Sequence, residues 1–211
     1  MVNRPDFSNF LGHFTTNRQP IGKTDAKNPV KDKAKGMALT RLISILTDKK
    51  IVASTMPWTN CHAVCFTECP WASLIDHTKK YSPYGIGFSK QFVFSKNGSP
   101  VYYVRADQYE KQNWHEHLKP FVTPFWPSYR PKSINQKKAF KDCDYSHERE
   151  WRVPHDFPFE YSQIEFIVLD KYEDMAKFPK ELKDIIGRDK FLLMDNYKMI
   201  ERLWPVHNLG L

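Results

Sequence analysis

The sequence predicts one mixed domain of the α+β class, a mixed sheet with flanking helices, and three observations carry that expectation. At 211 residues the chain is long enough for one buried core, and no low-complexity break divides it. Its 41% apolar and 27% charged residues are ordinary for a globular protein. Segments with helical period alternate irregularly with short apolar runs rich in strand formers, which is neither an all-helical nor a strictly βαβ pattern.

Taken in order, Phe7 to Thr15 (FSNFLGHFT) reads as a first strand with aromatic character. Residues 16–36 are polar and Lys-rich with two prolines and two glycines, the composition of a mobile basic loop. Leu39, Leu42, Ile43 and Leu46 fall at i, i+3, i+4 and i+7, so Met37 to Leu46 is an amphipathic helix docked by that stripe. His62 to Thr67 (HAVCFT) is a buried strand, and Pro70 opens a second helix carrying Trp71, Leu74, Ile75, Thr78 and Tyr81. Tyr84 to Phe88 and Val101 to Val104 read as a strand pair around the Asn97-Gly98 turn. Residues 108–140 lose their period, with four prolines among aromatics, and form an irregular excursion. Strands follow at Glu150 to Val153 and Ile164 to Leu169, then a helix from Pro179 stopped by Gly187, a strand Phe191 to Met194, and a helix Tyr197 to Leu203.

No apolar run approaches the roughly 20 residues needed to cross a bilayer, and the N-terminus lacks a signal-peptide core, so a cytoplasmic protein without membrane contact is expected. Four cysteines are too few for a disulfide framework and read as reduced thiols. The net charge of +8 is uneven: residues 1–50 hold ten Lys/Arg against four acids, and residues 127–141 hold five against none. Such a surface suits a polyanion, because Lys and Arg contacts to phosphate give sequence-independent affinity; a plain solubilising surface accounts for it equally well.

Within Glu148-Arg149-Glu150-Trp151-Arg152, two carboxylates two apart on a strand project to the same face. Paired carboxylates facing one cleft can divide the work, one holding a hydroxyl and the other positioning a nucleophile. The plainer alternative is a ladder in which Arg149 and Arg152 neutralise both acids. His13 stands at a strand end where ligand-binding groups often lie, although a lone histidine is more often structural. Glu68 precedes a helix and favours its N-terminus through the dipole. Cys61, His62, Cys65 and Cys69 carry zinc-ligand chemistry, but a strand followed by a helix does not wrap them around one ion, so no metal site is expected. The aromatics from Trp114 to Tyr129, with Trp126 and Tyr129 followed by Arg130 and Lys132, combine stacking faces with cations, as single-stranded DNA or RNA requires; a proline-stiffened loop with its aromatics inward is the alternative.

Cys65-Phe-Thr-Glu-Cys-Pro70, His77 to Lys90 (HTKKYSPYGIGFSK), Pro100-Val-Tyr-Tyr103 and His147 to Pro154 (HEREWRVP) resemble, in order and spacing, the AbiGi abortive-infection family over roughly His13 to Pro154. That resemblance implies a phage-defence setting of toxins and antitoxins. More remotely, the layout resembles the ADP-ribosyltransferase fold of DarT-like toxins, with His-Phe-Thr on the first strand, a helix about two dozen residues later and a late strand opening with Glu-x-Glu. This second resemblance implies a split mixed sheet and a toxin that uses NAD as substrate and modifies nucleic acid. His13 and Thr15 would then bind NAD, Phe66 or Tyr84 would stack on nicotinamide, Glu150 would be catalytic and Glu148 would position the acceptor. Any NAD site would be of the transferase kind, because no G-x-G-x-x-G fingerprint is present.

Three functions follow as expectations. The leading one is the NAD-dependent ADP-ribosyltransferase toxin, with nucleic acid as target and an antitoxin protein as partner. The second is a non-catalytic antitoxin or phage-sensing binding protein, in which Glu148 and Glu150 are salt-bridged. The third is a metal-dependent nuclease built on Glu148, Glu150 and a histidine such as His147.

Overall fold

The period-two run at residues 85–89 places Ile86 and Phe88 on one face, both fully buried, and Gly85 and Gly87 on the other. Its neighbours pack accordingly. A Cβ added at Gly87 would come within 2.2 Å of the Phe166 ring, and one at Gly85 within 2.8 Å of the Phe14 ring, so each glycine admits an aromatic against the bare backbone.

The computed structural model describes residues 8–17, 37–56, 58–68, 71–127 and 144–203. Strands are β1 (Phe10–Phe14), β2 (Lys50–Ile51), β3 (Ser54–Thr55), β4 (His62–Thr67), β5 (Gly85–Ser89) and β6 (Ser99–Pro100). They continue with β7 (Tyr102–Arg105), β8 (Val122–Phe125), β9 (Glu150–Val153), β10 (Phe157–Pro158), β11 (Ile164–Leu169) and β12 (Phe191–Leu193). Helices are α1 (Met37–Asp48), α2 (Trp71–Lys80), α3 (Lys90–Ser95), α4 (Ala106–Tyr109), α5 (Tyr172–Lys177), α6 (Lys180–Ile186) and α7 (Met194–Leu203).

The main sheet runs β12-β11-β5-β1-β4-β9-β6, with β3 added beside β4. It is mixed: β11 and β12 pair in parallel, and the other neighbours are antiparallel. With helices against it, this is the α+β class expected. Leu39, Leu42 and Leu46 of α1, with Val93 of α3 and Leu182 and Ile186 of α6, join Leu11, Val64, Phe66, Ile86, Phe88 and Ile167 in the principal core. Each fully buried side chain of this size contributes about 1.5–3 kcal/mol over exposure. Leu74 of α2, Val168 of β11 and Met194 of α7 form a second cluster, with Phe14 and Phe166 packed against it. Consecutive residues Ile167 and Val168 thus serve different cores, as strand alternation dictates.

Several expected elements lie where the residue pattern puts them: β4 and β11 match to the residue, and α6 starts after Pro179 and stops at Gly187, whose φ is +100°. The hairpin around Asn97-Gly98 is overturned. β5 already has β1 on one side and β11 on the other, so no edge is free for a returning strand. Instead Ser89 caps α3, its hydroxyl accepting from the Phe92 N–H at 3.2 Å, and Asn97 in the left-handed region (φ 60°) turns the chain outward. Tyr102–Arg105 pairs in parallel with β8 in a separate two-stranded sheet. The excursion 108–140 is therefore only partly irregular; the rest of it, residues 128–140, lies outside the described residues, as does most of the stretch 16–36.

Candidate functional site

β4 and β9 pair antiparallel with Cys65 opposite Arg152 and Thr67 opposite Glu150, and β1 lies on the other side of β4. A cleft of about 450 Å³ lies along these strands, lined by residues 63–67 of β4, 12–14 of β1 and Glu150 and Arg152 of β9. His13, Phe66, Glu148 and Glu150 all line it, so four of the residues singled out in the sequence are brought together. Cys65, Tyr81, His77, Trp58, Tyr145 and Arg152 complete its chemistry.

The two carboxylates do not share a strand face. Glu148 ends a one-turn 3-10 helix (Ser146–Glu148), and β9 begins only at Glu150. Between them Arg149 adopts left-handed backbone (φ 45°, ψ 52°), which turns Glu148 back toward Glu150 at a cost of roughly 1–2 kcal/mol for a residue with a Cβ. The Thr67 hydroxyl clamps the kink by donating to the Glu148 carbonyl at 2.5 Å, and the Glu68 N–H donates to the Arg149 carbonyl at 3.3 Å.

Glu150 is held by Arg152. Nε donates to Oε1 at 2.7 Å and an Nη to Oε2 at 3.0 Å, a bidentate pair with the arginine only 4% exposed. The remaining N–H groups of Arg152 go to the carbonyls of Pro120 (3.0 Å) and Val122 (3.2 Å) and to the Thr123 hydroxyl (2.8 Å). Five donors meet five acceptors. Glu148 accepts from the Tyr81 hydroxyl, which lies 3.0 Å from both carboxylate oxygens, and the His147 Nε2 is 3.8 Å from it. Burial, then the Glu148 and Glu150 charges, push the Tyr81 phenol far above its ordinary range, so it remains a donor. Tyr81 is itself stacked on His77 at 4.6 Å, one helical turn earlier.

The His13 ring places Nδ1 2.8 Å from the Cys65 carbonyl. A carbonyl only accepts, so Nδ1 carries the proton and Nε2 keeps its lone pair. Burial lowers the His13 pKa, partly offset by that hydrogen bond, and keeps the imidazole neutral. Burial and the Glu150 charge raise the Cys65 pKa, leaving a thiol rather than a nucleophilic thiolate.

Other expected site residues lie elsewhere. Thr15 is buried, its hydroxyl donating to the Ala38 carbonyl at 2.9 Å, and so ties β1 to α1 outside the cleft lining. Tyr84 donates to Asp174 at 2.9 Å and is not part of the cleft lining. Trp126 is buried with Ala106 in a small cluster flanked by Trp58, Tyr109 and Tyr145, and presents no exposed face for stacking. Tyr129, Arg130 and Lys132 lie outside the described residues. Glu68 pairs with Lys90 at 2.7 Å and accepts from the Trp151 indole at 3.2 Å. Among the described residues no three His, Cys, Asp or Glu side chains are grouped to hold a metal ion, and no helix is long and apolar enough to cross a membrane. Arg152, expected from the sequence as a neutralising partner of the two acids, has that role for Glu150; Tyr81 is not legible as a cleft residue, and its spacing of four from His77 is the signal that sets the two on one helical face.

A family model described as "Putative abortive phage resistance protein AbiGi, antitoxin" matches residues 43–179, more than half of the chain. The match contains Cys65, Tyr81, Glu148, Glu150 and Arg152 and starts after His13. No curated protein and no solved structure matches the chain.

Proposed function

This chain belongs to the AbiGi family of abortive phage-resistance proteins, and from that premise we propose that it is the antitoxin of a phage-defence pair, a binding protein whose partner is a toxin protein. The family description supplies the antitoxin role. The single structural observation that supports it is the lock on Glu150: both carboxylate oxygens are bound by an arginine that is itself saturated. A carboxylate that must seize a ribose hydroxyl as charge develops gains little when a buried guanidinium already neutralises it. Salt-bridged acids are what a non-catalytic protein of this sequence is expected to have.

The test is expression in a bacterial host. Alone, the chain leaves growth unchanged; co-expressed with the toxin of its pair, it restores growth and co-purifies with that toxin. Growth arrest by the chain alone would reverse the assignment.

A second reading keeps one observation in its favour: His13 and Glu150 line the same cleft, as an ADP-ribosyltransferase acting on nucleic acid with NAD as substrate requires. Purified protein incubated with labelled NAD and single-stranded DNA, RNA or lysate separates the two. Transfer of label that is lost in Glu150→Gln supports the transferase; absence of transfer leaves the antitoxin reading.

A further inference from the structure

The main sheet ends differently on its two sides. At one end β6 contains Pro100, which has no N–H, and a proline on an edge strand discourages another chain from pairing there. At the other end β12 reads Phe-Leu-Leu, with neither a charge nor a proline, and β11 is its one neighbouring strand among the described residues. Nothing in the composition of β12 blunts that edge.

The register shows what the edge offers. Leu193 lies opposite Leu169 in parallel pairing, and the Asp195 N–H donates to the Asp170 carbonyl at 2.9 Å, so residues 191, 193 and 195 turn their peptide groups toward β11. Leu192 therefore turns its N–H and C=O outward. Its side chain is in register with Val168 and takes the face on which Met194 of α7 packs, yet it is 37% exposed. α6 lies against the opposite face, through Leu182 and Ile186 in the principal core. Each of these two helices adds an exposed apolar residue, Ile185 of α6 at 61% and Met199 of α7 at 51%. Apolar surface on and beside an open strand edge is the mark of an interface.

A residue with both peptide groups outward is self-complementary. When two such strands meet antiparallel about a two-fold axis through Leu192, the N–H of each leucine reaches the C=O of the other, and the two side chains fall side by side on one face. β12 ends after three residues and passes straight into α7, so it offers a longer strand nothing further to pair with. A second copy, equally short, matches it.

We propose that two copies of this chain associate through β12, joined at Leu192 across a two-fold axis, into one continuous sheet. β12 lies beyond residue 179, where the family match ends, so the contact falls outside the matched segment. β12, β11 and β5 separate β1 from the axis, so the two clefts lie on opposite sides of it, on the order of 40 Å apart at a strand spacing of about 4.8 Å. Both clefts stay open to partners. The inference goes beyond the antitoxin assignment and needs no toxin to be tested.

Sedimentation velocity of the full chain from about 1 to 500 μM tests it, a range that brackets dimers of micromolar to roughly 0.1 mM Kd. A reversible shift from 25.0 kDa to twice that mass is expected, with no larger species, because the two-fold contact uses up the edge. Leu192→Lys, which sets two ammonium groups together at the axis and leaves the ladder with β11 in place, weakens dimerisation by at least about tenfold. A monomer throughout the range overturns the proposal, as do assemblies larger than a dimer or an unchanged dimer constant in a folded Leu192→Lys protein. Amide hydrogen exchange of the wild-type chain needs no variant: exchange at the Leu192 N–H slows as concentration rises, and exchange independent of concentration overturns the contact even where a dimer forms. A Leu192 amide protected only once the toxin of the pair is added assigns the edge to the toxin and overturns self-pairing as well.

Discussion

Arg152 commits every N–H it has inside the protein, and this makes it the residue whose loss is felt most. Arg152→Ala removes the partner of a Glu150 carboxylate whose side chain is only 12% exposed and strands three further acceptors, so a loss of about 3–5 kcal/mol is expected in urea unfolding. Arg152→Lys does not rescue it, because an ammonium lacks the planar fork. His13 sets a pH dependence of stability. Its folded-state pKa lies below the unfolded value of 6.5, so the unfolded chain binds the proton more readily. The contribution is complete above pH 6.5 and declines as the pH falls through that value toward the folded pKa. Thermal melts from pH 8 to pH 5 should therefore show a decline in Tm that is shallower in His13→Gln, and an identical slope in the two proteins would remove His13 from the account.

At the scale of elements, the sheet depends on contacts that leave no room for a side chain. Gly87→Ala sets a methyl 2.2 Å from the Phe166 ring, and the ring cannot retreat without opening the cluster of Leu74, Val168 and Met194; a loss of about 3 kcal/mol is expected in denaturant titration. Boundaries were readable wherever burial alone defines a strand. HAVCFT and the run from Ile164 to Leu169 (IEFIVL) are mostly apolar, and both are strands at those residues. Pairing was not readable, because which strand lies beside which is settled by long-range packing: the presence of β1 and β11 on either side of β5, and not the Asn-Gly signal, decides where residues 101–105 go. The left-handed turn at Arg149 was equally hidden, since nothing in an arginine announces positive φ; only the Thr67 clamp from another element explains it.

For the whole molecule, the candidate site was half legible. Motif resemblance pointed to His13, Phe66, Glu148 and Glu150, which converge on one cleft, and also to Thr15 and Tyr84, which are engaged with α1 and with Asp174 away from it. The difference is one of direction: residue type and spacing identify polar groups near strand ends, but the face each side chain takes follows from the sheet order. The growth assay reads the partner and the label-transfer assay reads the chemistry, so together they separate the antitoxin from the transferase.

The pairing of Thr67 with Glu150 joins strands that are far apart in the chain. During synthesis, β4 emerges long before β9, so a nascent or truncated product that stops short of Glu148 holds His13 and Cys65 but neither carboxylate nor Arg152. Such a fragment exposes the unsatisfied edge of an apolar strand, which invites association with other chains. Premature termination therefore does not yield a weaker version of the protein. It yields a fragment with no cleft and a tendency to aggregate, and only chains read through Val153 can contribute to the cell's pool of working molecules.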